Sequence, residues 1–189
     1  MTWEASWGDP FTAYLRHFEG LIGDRRTGVT FREVVKGIIG AGSLVCERIA
    51  AHSQILTATT KGAQRVIRLA KGESTKRSQL DAASLTAQLR RRGLAQLAQS
   101  GADELWLMFD GSDLRKPHAE AMPALMQVKD LDGSVVPGYR TLNVLGVTPK
   151  RRGILYHRLF SSHERDFISE PAEVQQVLVT VHQALQGAQ

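Results

Sequence analysis

A chain of 189 residues with 42% hydrophobic content suits one or two domains and can bury a sizeable core. No apolar run approaches the roughly 18 residues of a membrane span, no export leader is recognisable at Met1-Thr-Trp-Glu-Ala-Ser-Trp7, and the lone Cys46 excludes an internal disulfide or a multi-cysteine zinc site, so a cytoplasmic protein with no membrane partner is expected. The net charge of +5 is uneven: residues 1–102 carry 15 Lys and Arg against 8 Asp and Glu, whereas residues 103–189 carry 9 against 11.

A basic first half and a slightly acidic second half predict two domains, with polyanion binding in the first. Residues 1–28 contain a Gly8-Asp9-Pro10 turn and a helix from Pro10 to about Leu21. Thr30, with Glu33 three residues on, reads as a capping box opening a helix through Phe31, Val34, Val35 and Ile38. Gly40-Ala41-Gly42 ends it, and Ser43 reads as the cap of a second helix through Leu44, Val45, Ile49 and Ala50. This is the outline of a helix-turn-helix.

The third helix, Thr60–Lys71, places Ala63, Val66, Ile67 and Ala70 on an apolar face. Lys61, Arg65, Arg68 and Lys71 fall on the other side with no acid among them, and Lys76 and Arg77 extend the positive surface. A solvated face normally mixes signs; an unbroken cationic stripe is the pattern that lies along a phosphate backbone or in the major groove. These six residues are the candidate DNA-binding set. A further helix from Ser78 to Ser100 turns Leu80, Leu85, Leu89, Leu94 and Leu97 inward, and its Arg90-Arg91-Arg92 run reads as a solvated surface or a DNA contact. A boundary is placed near residue 102.

Beyond it the chain reads as strands. Leu105-Trp106-Leu107-Met108-Phe109 is a continuous apolar run, expected of a strand buried on both faces, and Asp110 is expected where that strand leaves the core. Asp130-Leu131-Asp132-Gly133 is a turn, residues 138–147 a central strand, Thr148 to Gly153 a basic turn, and residues 154–160 the next strand. Pro171 suits the first turn of a final helix through Val174, Val177, Leu178, Val181 and Leu185. The class is α+β: a helical N-terminal domain, then antiparallel strands and a helix.

Several blocks in order carry a family resemblance. Asp110-Gly-Ser-Asp-Leu-Arg-Lys-Pro117, Val128-Lys-Asp-Leu-Asp-Gly133, Gly138-Tyr139 with Leu142-Asn143-Val144, and Leu159-Phe-Ser-Ser-His-Glu-Arg-Asp-Phe-Ile-Ser-Glu170 together resemble the DDE transposases of bacterial insertion sequences. The resemblance covers roughly residues 30–189. It implies a helical domain over 1–102 that grips transposon ends and, over 103–189, the N-terminal part of an RNase H-like catalytic domain, incomplete here. It also implies DNA transposition with Mg²⁺ or Mn²⁺ as cofactor, and double-stranded DNA, a second copy or full-length transposase as partners.

In-line cleavage of a phosphodiester uses two metal ions about 4 Å apart, held in this family by an Asp on the first strand, an Asp on a later strand and a Glu on a distant helix. Asp110 matches the first position and is the one catalytic and metal-binding candidate. Asp113 is assigned a structural role, Ser112, Arg115 and Lys116 a loop-holding one, and His157 a strand surface. Glu164, Asp166, Glu170 and Glu173 do not match the missing triad positions, so the chain is expected to be inactive alone. The alternatives are a stand-alone DNA-binding regulator or inhibitor of transposition without catalysis, and a protein-interaction domain whose basic helix is only a solvated face. An incomplete sheet of this kind is expected to leave an exposed edge and an uncovered apolar face.

Overall fold

The computed structural model describes residues 3–53, 60–71, 79–119 and 122–187. The protein is a mixed α and antiparallel β structure in two compact units, residues 1–88 and 89–189. Among the described residues no helix is long and apolar enough to cross a membrane.

The first unit contains helices α1 (Trp3–Glu19), α2 (Arg25–Ala41), α3 (Cys46–Ala51) and α4 (Thr60–Lys71). The expected turn at Gly8-Asp9-Pro10 is absent, because α1 runs through Pro10 and begins at Trp3. The N-cap of α2 lies six residues before the one expected at Thr30. It is Asp24, whose carboxylate accepts from the Thr27 N–H at 2.9 Å and the Thr27 hydroxyl at 2.7 Å. Thr30 instead donates back to the Arg26 carbonyl, and Glu33 accepts from Ser53 at 2.7 Å. An interior Thr can satisfy its hydroxyl on the preceding turn, so the capping-box spacing alone did not locate the helix start.

Gly42 terminates α2 in the left-handed region at φ 55, where glycine carries no Cβ penalty. Ser43 is not the cap of α3. That helix begins at Cys46 with Val45 as its N-cap, and Leu44 and Val45 are exposed rather than packed. Val34, Ile49, Ala50 and Val66 form the core of the three helices α2, α3 and α4, with Ile38, Cys46 and Leu69 against it. Gly37 lets α2 and α3 approach, since a Cβ there would lie 2.5 Å from the Ile49 carbonyl oxygen.

Helix α5 (Ala82–Ala98) opens on Asp81, whose carboxylate accepts from the Ser84 N–H at 3.0 Å. In the second unit its C-terminal half contributes Leu97 and Leu94 to a core of Leu142, Val144, Leu155, Phe160, Val177 and Val181. The sheet consists of β1 (Trp106–Arg115), β2 (Met126–Lys129), β3 (Val135–Val147) and β4 (Arg152–Phe160). β3 is the axis: β1 pairs along one side of it, while β2 and β4 pair with successive parts of the other, all antiparallel. Helix α6 (Glu170–Gln186), capped by Ser169 with Pro171 in its first turn, lays Val177 and Val181 on one sheet face.

Four glycines let these layers close. A Cβ at Gly93 would lie 2.2 Å from the Ile154 carbonyl oxygen, and one at Gly153 would lie 2.5 Å from the Gly93 carbonyl oxygen. Gly146 leaves room for Leu97, and Gly138 for the Leu114 carbonyl. Helix α5 and strand β4 thus meet backbone to backbone.

Candidate functional site

Helix α4 separates two chemistries by its period. Ala63 and Val66 are buried, Leu69 packs beside them, and Gly62 completes the inward side. The inward face therefore differs from the sequence expectation: Ile67 and Ala70 are exposed, and Leu69 takes the expected place. The displacement arises because α2 and α3 meet α4 along the 62–66–69 line, a direction periodicity cannot define when apolar residues surround it. Lys61, Arg65 and Arg68 are exposed on the remaining side, spaced four and three residues apart so that they form one stripe. Arg68 donates to the neutral amide of Gln64 at 3.4 Å, and among the described residues it makes no ion pair. Lys71 is the last residue of the helix; its side chain, and all of Lys76 and Arg77, lie outside the described residues.

Asp110 occupies a different setting from the one expected. The apolar run before it is not buried: Trp106 is 59%, Met108 57% and Phe109 43% exposed. Nor does the strand end there, since β1 continues to Arg115 and Asp110 stands in its middle, opposite Asn143. The reason is tertiary. β1 is an edge strand, and the core side chains come from α5, β3, β4 and α6 and none from β1, so among the described residues both faces of the apolar run are left in contact with solvent.

The register sets the neighbours of Asp110. Alternation puts Trp106, Met108, Asp110 and Ser112 on one face of β1. Across the sheet Asp110 opposes Asn143 on β3, and Asn143 opposes His157 on β4. His157 Nδ1 and Asn143 Oδ1 are 2.7 Å apart, so Nδ1 carries the proton it donates to the amide oxygen. Ser112 and Thr141 pair through their hydroxyls at 3.0 Å one step along the same face. The open face thus bears a polar band of Asp110, Asn143, His157, Ser112 and Thr141.

Asp113 faces the opposite side and pairs with Arg140 at 3.5 Å; Arg140 also pairs with Glu170. Asp113 is therefore within the strand and ion-paired, consistent with a structural role, and Arg115 holds Asp130 at 3.2 Å and the Lys129 carbonyl at 2.9 Å from the strand, not from a loop. Glu173 is buried against Arg158 at 3.0 Å.

A pair of catalytic metals needs several carboxylates aimed at one point. Among the described residues no three His, Cys, Asp or Glu side chains converge in this way, and Asp110 has an amide and an imidazole beside it rather than a second acid. These residues by themselves do not fit a two-metal centre. Comparison with known proteins adds no relative: no family model and no curated protein matches the chain.

Proposed function

We propose that this chain binds double-stranded DNA through α4, as the end-binding and first catalytic-core portion of a DDE transposase. The observation that supports this reading most directly is the exposed stripe Lys61, Arg65 and Arg68 on a helix whose other face is anchored by Ala63, Val66 and Leu69. A helix fixed in that way spends no backbone freedom on binding, and each phosphate its cations neutralise releases counterions. In this reading the antiparallel sheet is the opening of an RNase H-like domain, and Asp110 is the one acid the chain would give to a Mg²⁺ or Mn²⁺ centre.

Fluorescence anisotropy with a labelled duplex carrying the terminal inverted repeat tests it. Lys61→Gln with Arg68→Gln lowers affinity by about tenfold or more at moderate salt, in proportion to two lost phosphate contacts. Unchanged binding by the double variant would overturn the reading.

A second reading, a DNA-binding regulator of transposition without catalysis, is favoured by the absence of converging acids around Asp110 among the described residues. Supercoiled plasmid incubated with the chain and Mg²⁺ stays intact under this reading. Nicking that is lost in Asp110→Ala would instead favour a working metal centre.

A further inference from the structure

The contact between Gly93 and Gly153 brings together two basic segments that are far apart in sequence. Arg90-Arg91-Arg92 lies directly before Gly93 on α5, and Lys150-Arg151-Arg152 lies directly before Gly153 in the turn between β3 and β4. Because the two glycine backbones touch, with a Cβ at Gly153 only 2.7 Å from the Gly93 Cα, the two runs meet at one end of the second unit. We propose that the exposed cations of these two runs, Arg91, Lys150, Arg151 and Arg152, form a second docking surface for the phosphate backbone of double-stranded DNA.

Two observations carry this. Helix α5 contains no acid from Ala82 to Ala98, and neither does the stretch from Thr148 to Gly153, so neither segment neutralises itself. None of the six cations makes an ion pair among the described residues; Asp103 and Glu104, the acids just ahead of β1, leave them free.

The turn is also held in shape. Thr148 N–H donates to the Arg151 carbonyl at 2.8 Å, and Arg151 N–H donates to the Thr148 hydroxyl at 2.9 Å. Lys150, Arg151 and Arg152 are exposed, as is Arg91. Cations on a fixed backbone, with one sign only, match the repeating charge of a duplex better than a flexible or mixed surface does. Duplex DNA rather than an acidic protein is the committed ligand, because both segments carry cations only, the complement of a polyanion whose charge repeats with one sign.

The inference rests on the reading that the chain binds DNA, and the experiment keeps the two separable. The full chain is titrated against a labelled duplex at several salt concentrations, and log Kd is plotted against log salt. The variant Arg91→Gln, Lys150→Gln, Arg151→Gln, Arg152→Gln changes only exposed side chains, and its fold is checked by circular dichroism. The expected result is a slope smaller by about three to four, near 0.9 for each lost phosphate contact, with Lys129→Gln, Arg165→Gln leaving the slope unchanged. A wild-type slope in the fourfold variant overturns this inference, while loss of binding in Lys61→Gln, Arg68→Gln still upholds the α4 reading. A reduced slope in the fourfold variant combined with intact binding in the α4 variant upholds this surface and sinks α4. Preference for a duplex RNA of equal length, or no duplex binding by the wild-type chain, overturns the assignment.

Discussion

Gly153 stands so close to Gly93 that a Cβ added to it would lie 2.5 Å from the Gly93 carbonyl oxygen. The obstructing atom is backbone, so neither partner can swing aside. Gly153→Ala is expected to destabilise the second unit by about 1–3 kcal/mol, the cost of overpacking, or somewhat more because the helix itself must shift. Urea unfolding followed through Trp106, with Trp3 and Trp7 replaced by Phe, measures it; a midpoint equal to the parent's would show that α5 can lift off at no cost.

Glu173 is the buried acid of α6, and Arg158 reaches it at 3.0 Å while also lying 3.6 Å from Glu164. Removing one partner of a buried pair leaves the other charge poorly compensated. Glu173→Ala should therefore cost about 2–3 kcal/mol, below the full range for such pairs because Glu164 remains. Glu164→Ala, whose acid is more exposed, should cost less than about 1 kcal/mol. Equal losses from the two substitutions in thermal unfolding would contradict this ordering.

Asp81 is fully exposed, yet its carboxyl is held below the ordinary aspartate range, first by the Ser84 hydroxyl and then by the Ser84 and Ala83 backbone N–H groups. These bonds favour the ionised form. Since the folded-state pKa is lowered, the contribution to the first turn of α5 is present above the unfolded aspartate pKa and lost as pH falls through the folded one. A carboxyl-detected NMR titration should place Asp81 below a free aspartate, and Ser84→Ala should move it upward. An unmoved Asp81 would mean the hydroxyl contributes nothing.

Among the described residues the outer edge of β1 offers unpaired backbone groups, on a strand that exposes Trp106, Met108 and Phe109. Exposed apolar edges template pairing with further chains. Sedimentation velocity should show concentration-dependent self-association that Met108→Lys weakens, as an edge charge does in natural sheets. A tight monomer at all concentrations would show that this edge is sealed.

Much of the secondary structure was legible because its causes are local. Gly42 was readable as a helix end and adopts the left-handed conformation there; Pro171 was readable as a helix start and stands in the first turn of α6. The basic stripe of α4 was legible for the same reason, since 3.6 residues per turn fixes which cations share a side. Two of its four apolar partners differ from expectation, Ile67 and Ala70 being exposed while Leu69 packs inward, because the helices packed against α4 choose the buried direction. The Asp24 cap was missed in favour of Thr30, two residues that offer the same kind of acceptor in sequence and differ only in backbone conformation.

By itself, the sequence determined the helical period of α4, the turns at Gly42 and at residues 130–133, the α+β class and the uneven charge, all of which follow from nearest neighbours along the chain. Tertiary structure alone decided that the run ending at Phe109 is exposed, that Asp110 lies mid-strand beside Asn143 and His157, and that two arginine-rich segments some sixty residues apart share one end of the unit. Burial and adjacency depend on what lies across the sheet or helix, and no local pattern encodes a surface that another segment must supply.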